Sequence, residues 1–323
     1  ASIDVVTPAA GAKAGHLFTT QPVIHILDSQ GNLVDTGSEA ASIIDVTHNG
    51  GSELGFMNSR SSVAASAGVT RFHDDNTKTL GLTGTADDYQ LTYTLRGTSF
   101  TDTQSLTLTA GTAYKLSEHV APATSVSTGS DFSTNPAVKV LDQWGNHITT
   151  ENAATVTVRL LVPTSTGTVV RDASSAVRAA NGVVTFTGLN YIELPKTGYT
   201  LKYELVEGTT DNRFFTSSAF EIVPGAPHHL AWVTAPTGAR SNIALTTQPV
   251  IEVQDEFNNA VRDNGTKIKA SIVDAPAGLT ISATDVFSDA TTGAATFTDV
   301  KLTGPTGNYT LKFTAVNAGT DVN

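Results

Sequence analysis

One segment, a short apolar strand followed by an Asp-containing turn, occurs three times in this chain of 323 residues. The copies begin at Pro22, Pro136 and Pro249, which are 114 and then 113 residues apart. A period of this length corresponds to one small β domain, so the chain is constrained to a tandem array of similar folded units. We therefore predict three domains, called unit 1, unit 2 and unit 3 below. Their predicted bounds are 1–112, 113–225 and 226–323.

Each copy of the segment alternates apolar with polar residues before its Asp, as in Ile24-His25-Ile26. This period of two predicts a strand with one buried face. The Asp that follows is predicted to be a structural turn residue that accepts backbone N–H bonds within its own turn. A repeated metal site is the alternative explanation of its recurrence. The three positions are Asp28, Asp142 and Asp255.

Two further landmarks share the same period. One is a strand that begins with Gly and ends with Phe72, Phe186 or Phe297. The other places a Tyr, a Leu and an aromatic residue at alternate positions, which puts them on one face of a strand. The first Tyr enters its strand directly after a turn, as in the tyrosine corner of immunoglobulin-like sandwiches. The tyrosine-corner candidates are Tyr89, Tyr199 and Tyr309.

Composition supports an all-β fold and excludes several partners. Apolar residues make up 39 %, charged residues 15 %, and the chain contains no Cys. Thr, Ser, Ala, Gly and Val dominate over helix-forming runs. The net charge of −11 disfavours nucleic acid and anionic membranes as partners, because their phosphate fields would repel the chain. No run of 18 apolar residues exists, so we expect no membrane insertion.

The last predicted strand of each unit is short, and the third unit ends differently from the others. Residues 105–109 and 219–223 are the predicted closing strands of units 1 and 2. Unit 3 stops at a position that aligns with Asn212, so its closing strand is predicted to be absent. Two explanations remain open: the natural chain continues, or a neighbouring subunit donates a strand.

These landmarks together resemble the bacterial immunoglobulin-like (Big-type) tandem repeats of large cell-surface and adhesin proteins. The resemblance rests on Thr-Thr-Gln-Pro at 19–22 and 246–249, the Asp-x-x-Gly-Asn turn, the Gly-x-x-Thr-Phe strand and the Gly-x-Tyr-Thr-Leu strand. Unit 2 departs from it with Asn135-Pro136, and unit 3 with Asn258 in place of the turn Gly. The resemblance implies three tandem immunoglobulin-like β-sandwich domains in a rod-like array, the third lacking its closing strand.

Two sets of residues are candidate binding sites. The loop between Phe72 and Tyr89 is longer than its counterpart in unit 2 and is rich in oxygen ligands. Its carboxylates are a weak candidate for Ca²⁺, against a solvated acidic loop, and no other cofactor is expected. The second set is two aromatics at the turn tip, which either pack on the neighbouring unit or form a contact platform. The residues are Asp74, Asp75, Asp87 and Asp88 for calcium, and Trp144 and Phe257 for contacts.

The sequence gives no basis for catalysis. The eight His residues form no recurrent constellation with Ser and Asp, and nucleophile-elbow and phosphate-loop patterns are absent. We expect a non-catalytic structural or adhesive stalk segment of an exported bacterial surface protein, located extracellularly, whose partners are neighbouring repeats and a surface glycan or protein receptor. The alternatives are a surface-layer or filament subunit completed by strand donation, a carbohydrate-binding module, and a phage decoration protein.

Overall fold

The computed structural model describes residues 1–59, 61–72, 79–164, 167–173, 176–206, 213–262, 265–317 and 320–322. Regular structure in these ranges consists of strands and two short 3-10 segments, Ser38–Ala41 and Met57–Ser59. None of the helical segments in the described ranges is long and apolar enough to span a bilayer. The prediction of an all-β chain is therefore confirmed.

Ten strands lie in the described part of unit 1, and most follow the alternating segments of the sequence. Two of them, β3 and β9, carry the repeated apolar segment and the Tyr-Leu-Tyr segment respectively. The strands are β1 Ser2–Thr7, β2 His16–Leu17, β3 Val23–Leu27, β4 Ile43–His48, β5 Gly55–Phe56, β6 Ser62–Ala64, β7 Val69–Arg71, β8 Gly81–Thr83, β9 Asp88–Leu95 and β10 Thr101–Thr107.

Unit 2 repeats this order with a longer central pair. The strands are β11 Lys115–Val120, β12 Ser125–Ser127, β13 Ala137–Leu141, β14 Thr155–Thr164, β15 Gly167–Ala173, β16 Val177–Arg178, β17 Val183–Thr185, β18 Lys196–Leu205, β19 Phe214–Thr216 and β20 Phe220–Val223. The closing strand of this unit is thus divided in two, since β19 and β20 both pair with β18.

Unit 3 has the same succession and a very short last strand. The strands are β21 His229–Thr234, β22 Ile243–Ala244, β23 Val250–Gln254, β24 Lys267–Val273, β25 Thr280–Ser282, β26 Val286–Phe287, β27 Ala294–Thr296, β28 Lys301–Thr303, β29 Thr310–Asn317 and β30 Thr320–Val322. The expectation that this unit has no closing strand needs a correction: β30 begins one, pairing antiparallel with Ala315–Asn317 of β29.

The same strand order recurs in the sheets of all three units. One sheet has the order β1-β3-β7, β11-β13-β17 or β21-β23-β27. A second sheet contains β4-β9-β10, β14-β18-β20 or β24-β29-β30, and units 1 and 3 each have a small third sheet, β2-β8-β5 or β22-β28-β25. An immunoglobulin-like sandwich has this order. Its first, second and fifth main strands lie in one sheet, and its third, sixth and seventh lie in the other. Each unit is therefore an immunoglobulin-like sandwich.

The buried apolar residues form three separate clusters, one inside each unit. Period-two alternation places one face of each central strand in its cluster, because side chains alternate across a strand. The repeated segment contributes Ile24, Ile26, Val138, Val140, Ile251 and Val253, all at most 2 % exposed. Two partly buried residues cross between units 1 and 2: Trp144 of unit 2 packs against the core of unit 1, and Ala110 of unit 1 packs against the core of unit 2.

Candidate functional site at the junctions between units

The repeated Asp organises its turn through one carboxylate oxygen. Oδ1 of Asp142 accepts bonds from the backbone N–H groups of Trp144 and Asn146, both at 2.9 Å. Asp28 and Asp255 make the corresponding bonds in their turns, at 2.8 and 2.9 Å. The turn forms locally because a short carboxylate can replace the missing backbone acceptors of a sharp corner.

The second carboxylate oxygen connects two of these turns to the preceding unit. Oδ2 of Asp142 accepts a bond of 2.7 Å from the N–H of Gly111, in the segment between β10 and β11. Oδ2 of Asp255 accepts one of 2.9 Å from Gly225, between β20 and β21. Both carboxylates are at most 1 % exposed. The same side chain therefore shapes its turn and fixes the linker through which the chain enters the unit.

The surroundings of Asp255 and Asp28 favour the ionised form of each carboxylate. Burial alone would raise the pKa of Asp255, but hydrogen bonds from Gly225, Asn259 and Phe257 outweigh it and hold the pKa below its ordinary value. At Asp28, the hydrogen bonds from its own turn lower the pKa. A carboxylate that accepts several N–H bonds is stabilised as the anion.

The turn-tip aromatics lie against glycines of the preceding unit. Trp144 covers Gly15, where an added Cβ would come within 2.2 Å of the Trp144 ring. Phe257 covers Gly129 in the same way, with a corresponding distance of 2.5 Å. Both glycines have positive φ, 74° and 72°, so they suit the turn as well as the close approach. Of the two arrangements considered for these aromatics, the structure has the packed one.

Asn146 adds a second contact at the first junction. Its Nδ2 donates to the carbonyl of Gly84 at 2.9 Å, and its Oδ1 accepts from the N–H of Ala86 at 2.8 Å. The side chain of Asn146 thus bonds to a carbonyl and an N–H group of the loop before β9, and it also donates to Asp142. Sequence reasoning treated this Asn as part of a turn motif and missed its contact with the neighbouring unit.

The three tyrosines have the geometry of a tyrosine corner. Each phenol donates to a backbone carbonyl four or five residues upstream, in the loop that precedes its strand. Burial, with a contribution from the charge of Asp87, raises the pKa of Tyr89, which keeps its hydroxyl protonated as a donor. The bonds join Tyr89 to Thr85 (2.8 Å), Tyr199 to Leu194 (2.6 Å) and Tyr309 to Pro305 (2.7 Å).

The calcium candidates are only partly within the described residues. Asp74 and Asp75 lie outside them. Asp87 and Asp88 are exposed and border a cleft of about 550 Å³ between units 1 and 2, which Lys13 and His147 also line. Asp88 accepts a bond from the Thr107 hydroxyl. Among the described residues, no group of three His, Cys, Asp or Glu side chains is arranged to hold a metal ion.

A repeated Gln is a structural residue that sequence reasoning did not assign. The side chain of Gln21 bonds to both the N–H and the carbonyl of Leu80, at 2.7 and 2.8 Å. Gln248 bonds in the same way to Val300, at 3.0 and 3.3 Å. The available signal was the recurrence of Thr-Thr-Gln-Pro, in which the Gln side chain joins two loops by hydrogen bonds.

These features define the class of protein: tandem immunoglobulin-like sandwiches whose junctions are held by specific hydrogen bonds and ring contacts. No protein-family profile matches the chain, and no curated protein matches it. Among solved structures, it is similar to invasin, a bacterial integrin-binding protein, at 13 % identity and a TM-score of 0.37, over 99 % of this chain and 57 % of that chain.

Two other similar structures are also multi-domain fragments. A titin I-band fragment, I67–I69, matches at 10 % identity and a TM-score of 0.32, over 100 % of this chain and 96 % of that chain. An ectodomain fragment of ICAM-5, D1–D4, matches at 10 % identity and a TM-score of 0.28, over 99 % and 74 %. These scores are low, so the fold assignment rests on the strand order given above.

Proposed function

We propose that this chain is a non-catalytic spacer segment of an extracellular bacterial surface protein, which holds other parts of that protein at a set distance. The observation that carries the proposal is the junction. A buried carboxylate binds the linker, and an aromatic ring from one unit covers a glycine of the unit before it. Such contacts restrict rotation between neighbouring units, which is what a stiff spacer requires.

The junction makes bending costly for physical reasons. Swinging unit 2 away from unit 1 would break the bonds of Asn146 to Gly84 and Ala86 and would expose the ring of Trp144. A buried N–H group left without an acceptor costs about 1–3 kcal/mol, and exposed aromatic surface adds about 25 cal/mol per Å². Thermal energy is about 0.6 kcal/mol, so the arrangement that keeps these junction contacts would dominate.

The other candidate functions have less support. A carbohydrate-binding module would use Trp144 and Phe257 as exposed platforms, whereas both rings are half-buried against a neighbouring unit. No feature of the described residues favours a phage decoration protein. The surface location, the bacterial origin and a receptor or glycan partner rest on the sequence resemblance alone and are part of the proposal.

Small-angle X-ray scattering of the purified chain tests the spacer role. A compact protein of 323 residues has a radius of gyration of about 20 Å, and we expect a clearly larger value with a narrow, rod-like distance distribution. The double variant Asp142→Ala, Trp144→Ala should bend at its first junction and lose the longest distances. The matched variant Asp28→Ala changes the same turn at a position whose described bonds all lie within the turn, and it should scatter like the parent chain.

Two results would contradict the proposal. A radius of gyration near the compact value would show that the units fold back on one another. Equal scattering from the parent chain and the double variant would show that the junction contacts do not restrict bending.

Repeating the measurement with added Ca²⁺ tests the calcium prediction for Asp87 and Asp88. Stiffening of the chain by calcium would support a site in the loop before β9.

A further inference from the structure

The small third sheet of units 1 and 3 has a middle strand that is paired on both edges. In unit 1, β8 pairs with β2 on one edge and with β5 on the other. In unit 3, β28 pairs in the same way with β22 and β25. In these two units, strands of the same unit therefore cover both edges of the middle strand.

The matching segment of unit 2, residues 189–192, is covered on one edge only. The carbonyls of its first and third residues accept bonds from the neighbouring segment 129–132, at 3.0 and 2.9 Å. Because the backbone groups of successive residues in a strand point to opposite sides, those of Asn190 and Ile192 point to the other edge. Within the described residues, no strand pairs with that edge. An open sheet edge is a ready template for another strand.

Unit 2 does not cover this edge itself because its chain takes a different course. In units 1 and 3, the loop that leads to β5 or β25 crosses close over a glycine. A Cβ added to Gly84 would lie 2.2 Å from the carbonyl oxygen of Glu53, and one added to Gly304 would lie 2.8 Å from that of Gly278. In unit 2, β14 pairs with β15 only two residues later, and Glu193 occupies the glycine position. Its Cβ obstructs such a crossing, whereas a strand from outside needs none.

The covering strands show which side chain the edge receives. They place Phe56 and Ile281 opposite Leu82 and Leu302, and both pack against the core of their unit. Leu82 and Leu302 are 0 % and 9 % exposed, whereas their counterpart Tyr191 is partly exposed. No strand of the described part of unit 2 brings an apolar side chain to the place beside Tyr191.

Two large apolar side chains of unit 2 are exposed next to the open edge. Ile192 and Leu194 are 64 % and 70 % exposed, more than any other large apolar side chain among the described residues. Unit 1 has Thr83 and Thr85 at these positions, so the fold does not require apolar residues there. Exposed apolar side chains beside an unpaired edge are typical of a contact site.

We propose that this edge of unit 2 binds an extended segment of a partner protein, which pairs antiparallel with residues 189–192 and places a large apolar side chain opposite Tyr191. The ligand class follows from β5 and β25, which fill the matching place in the same fold. Backbone groups of Asn190 and Ile192 supply hydrogen bonds, as in strand addition generally. The net charge of −11 disfavours a second copy of this chain as the partner. The proposal is independent of the spacer role.

A peptide from unit 3 serves as the probe, because it contains a strand that covers this edge. The peptide has the uncharged sequence of residues 277–284, with Ile281 near its centre. Hydrogen exchange of the full chain, followed by mass spectrometry, reads the amides of residues 189–195. We expect slower exchange there, saturating as the peptide concentration rises. A control peptide of the same length with Ile281→Ser should leave the exchange unchanged.

Two variants of the full chain test the location. Ile192→Pro removes an N–H group of the open edge and should abolish the protection by the peptide, since Pro cannot donate. The double variant Ile192→Thr, Leu194→Thr introduces the residues of unit 1 and should require more peptide for the same protection. Exchange in units 1 and 3 should be unchanged in both variants, which shows that they fold.

Three results would overturn the proposal. The first is equal protection by the two peptides. The second is an unchanged response of the folded double variant. The third is protection of residues 189–195 that grows with the concentration of the chain alone, because it would assign the edge to a second copy of this chain.

Covalent attachment keeps the test decisive if free peptide binds weakly. The chain contains no Cys, so Thr197→Cys provides a single thiol close in sequence to the open edge. The peptide is joined to it through a flexible linker that ends in a maleimide, which gives a high effective concentration. Residues 189–195 should exchange more slowly with the attached probe than with the attached control peptide. If the two attached peptides give the same exchange, the edge does not accept a strand and the proposal is wrong.

Discussion

The two junctions share their turn chemistry and differ in one side-chain contact. Asp142 and Asp255 each bind the N–H of a linker glycine. Asn146 also bonds to Gly84 and Ala86 of the preceding unit, whereas the matching Asn259 bonds only to Asp255 among the described contacts. The repeated Asp thus anchors the linker at both junctions. The Asn adds bonds to the loop of the preceding unit at the first junction only, among the described contacts.

The loop that Asn146 contacts in unit 1 differs from the matching loop in unit 2. In unit 1, Gly84 precedes the residue whose carbonyl accepts the Tyr89 hydroxyl. In unit 2, the corresponding position is Glu193, and the loop runs on through exposed Leu194 before Tyr199. We infer that the first junction is the stiffer of the two.

The largest expected effect is that of Asp142→Ala. The substitution leaves the N–H groups of Gly111, Trp144 and Asn146 without their acceptor in a buried turn. Each such group costs about 1–3 kcal/mol, so we expect unit 2 to lose about 3 kcal/mol or more. Hydrogen exchange followed by mass spectrometry reads the stability of each unit separately.

Asp28→Ala is the matched control for that measurement. Asp28 makes the same turn bonds but accepts none from a linker glycine in the described structure, and it is partly exposed. Unit 1 should therefore be destabilised much less by Asp28→Ala than unit 2 by Asp142→Ala. Equal losses in the two units would mean that the bond to Gly111 contributes nothing.

A smaller effect is expected from removing the junction aromatics. Trp144→Ala uncovers the core edge of unit 1 and should cost about 2 kcal/mol, since the ring is half-buried. Phe257→Ala removes a smaller ring from Gly129 and should cost less. The loss for Trp144→Ala should be seen in both unit 1 and unit 2 by hydrogen exchange. A loss confined to unit 2 would contradict a shared contact.

Asn146→Ala and Asn259→Ala test the difference between the junctions directly. Both remove a bond to the turn Asp, but only Asn146→Ala also removes two bonds to the loop at Gly84–Ala86. We expect Asn146→Ala to be the more destabilising by about 1 kcal/mol, measured in denaturant titrations of the full chain. If the two variants are equally stable, the interpretation of a stiffer first junction is wrong.

The fold was largely predictable because its signals are local. Alternation around Ile24 and Ile26 and its two repeats identified the central strands, and the Tyr-Leu-Tyr pattern identified β9 and β18. The division of the closing strand of unit 2 into β19 and β20 was not predictable, since it depends on pairing with different parts of β18. The three-residue strand β30 was missed because it too is defined by its pairing, here with the end of β29.

The junction was less accessible from sequence because its contacts join distant residues. Asp142 was predicted as a turn residue from its own neighbours, but its bond to Gly111 joins residues 31 positions apart in the chain. The close approach of Trp144 to Gly15 likewise depends on docking. Recurrence of Gly at 15 and 129, and of Gly before units 2 and 3, was the available signal.

The smallest expected effect is the pH dependence of the second junction. The pKa of Asp255 lies below its ordinary value of 3.8 in the folded chain, so its ionised form stabilises unit 3 at all pH values above that value. This stabilisation is lost as pH falls through the lowered pKa. Asp289 and Asp299 have lowered pKa values for similar reasons, so unit 3 should weaken in acid even without Asp255.

A difference measurement isolates the contribution of Asp255. Asp255→Asn can still accept bonds from Phe257 and Asn259 through its amide oxygen, but it turns an N–H donor toward Gly225 and does not titrate. The parent chain should be more stable than this variant at pH 7, and the gap in unit 3 should narrow below about pH 4 as the parent carboxylate takes up a proton. Thermal melts of both chains between pH 7 and pH 3 measure this gap. A gap that stays constant over that range would show that the charge of Asp255 does not hold the junction, and that the shape of the turn alone does so.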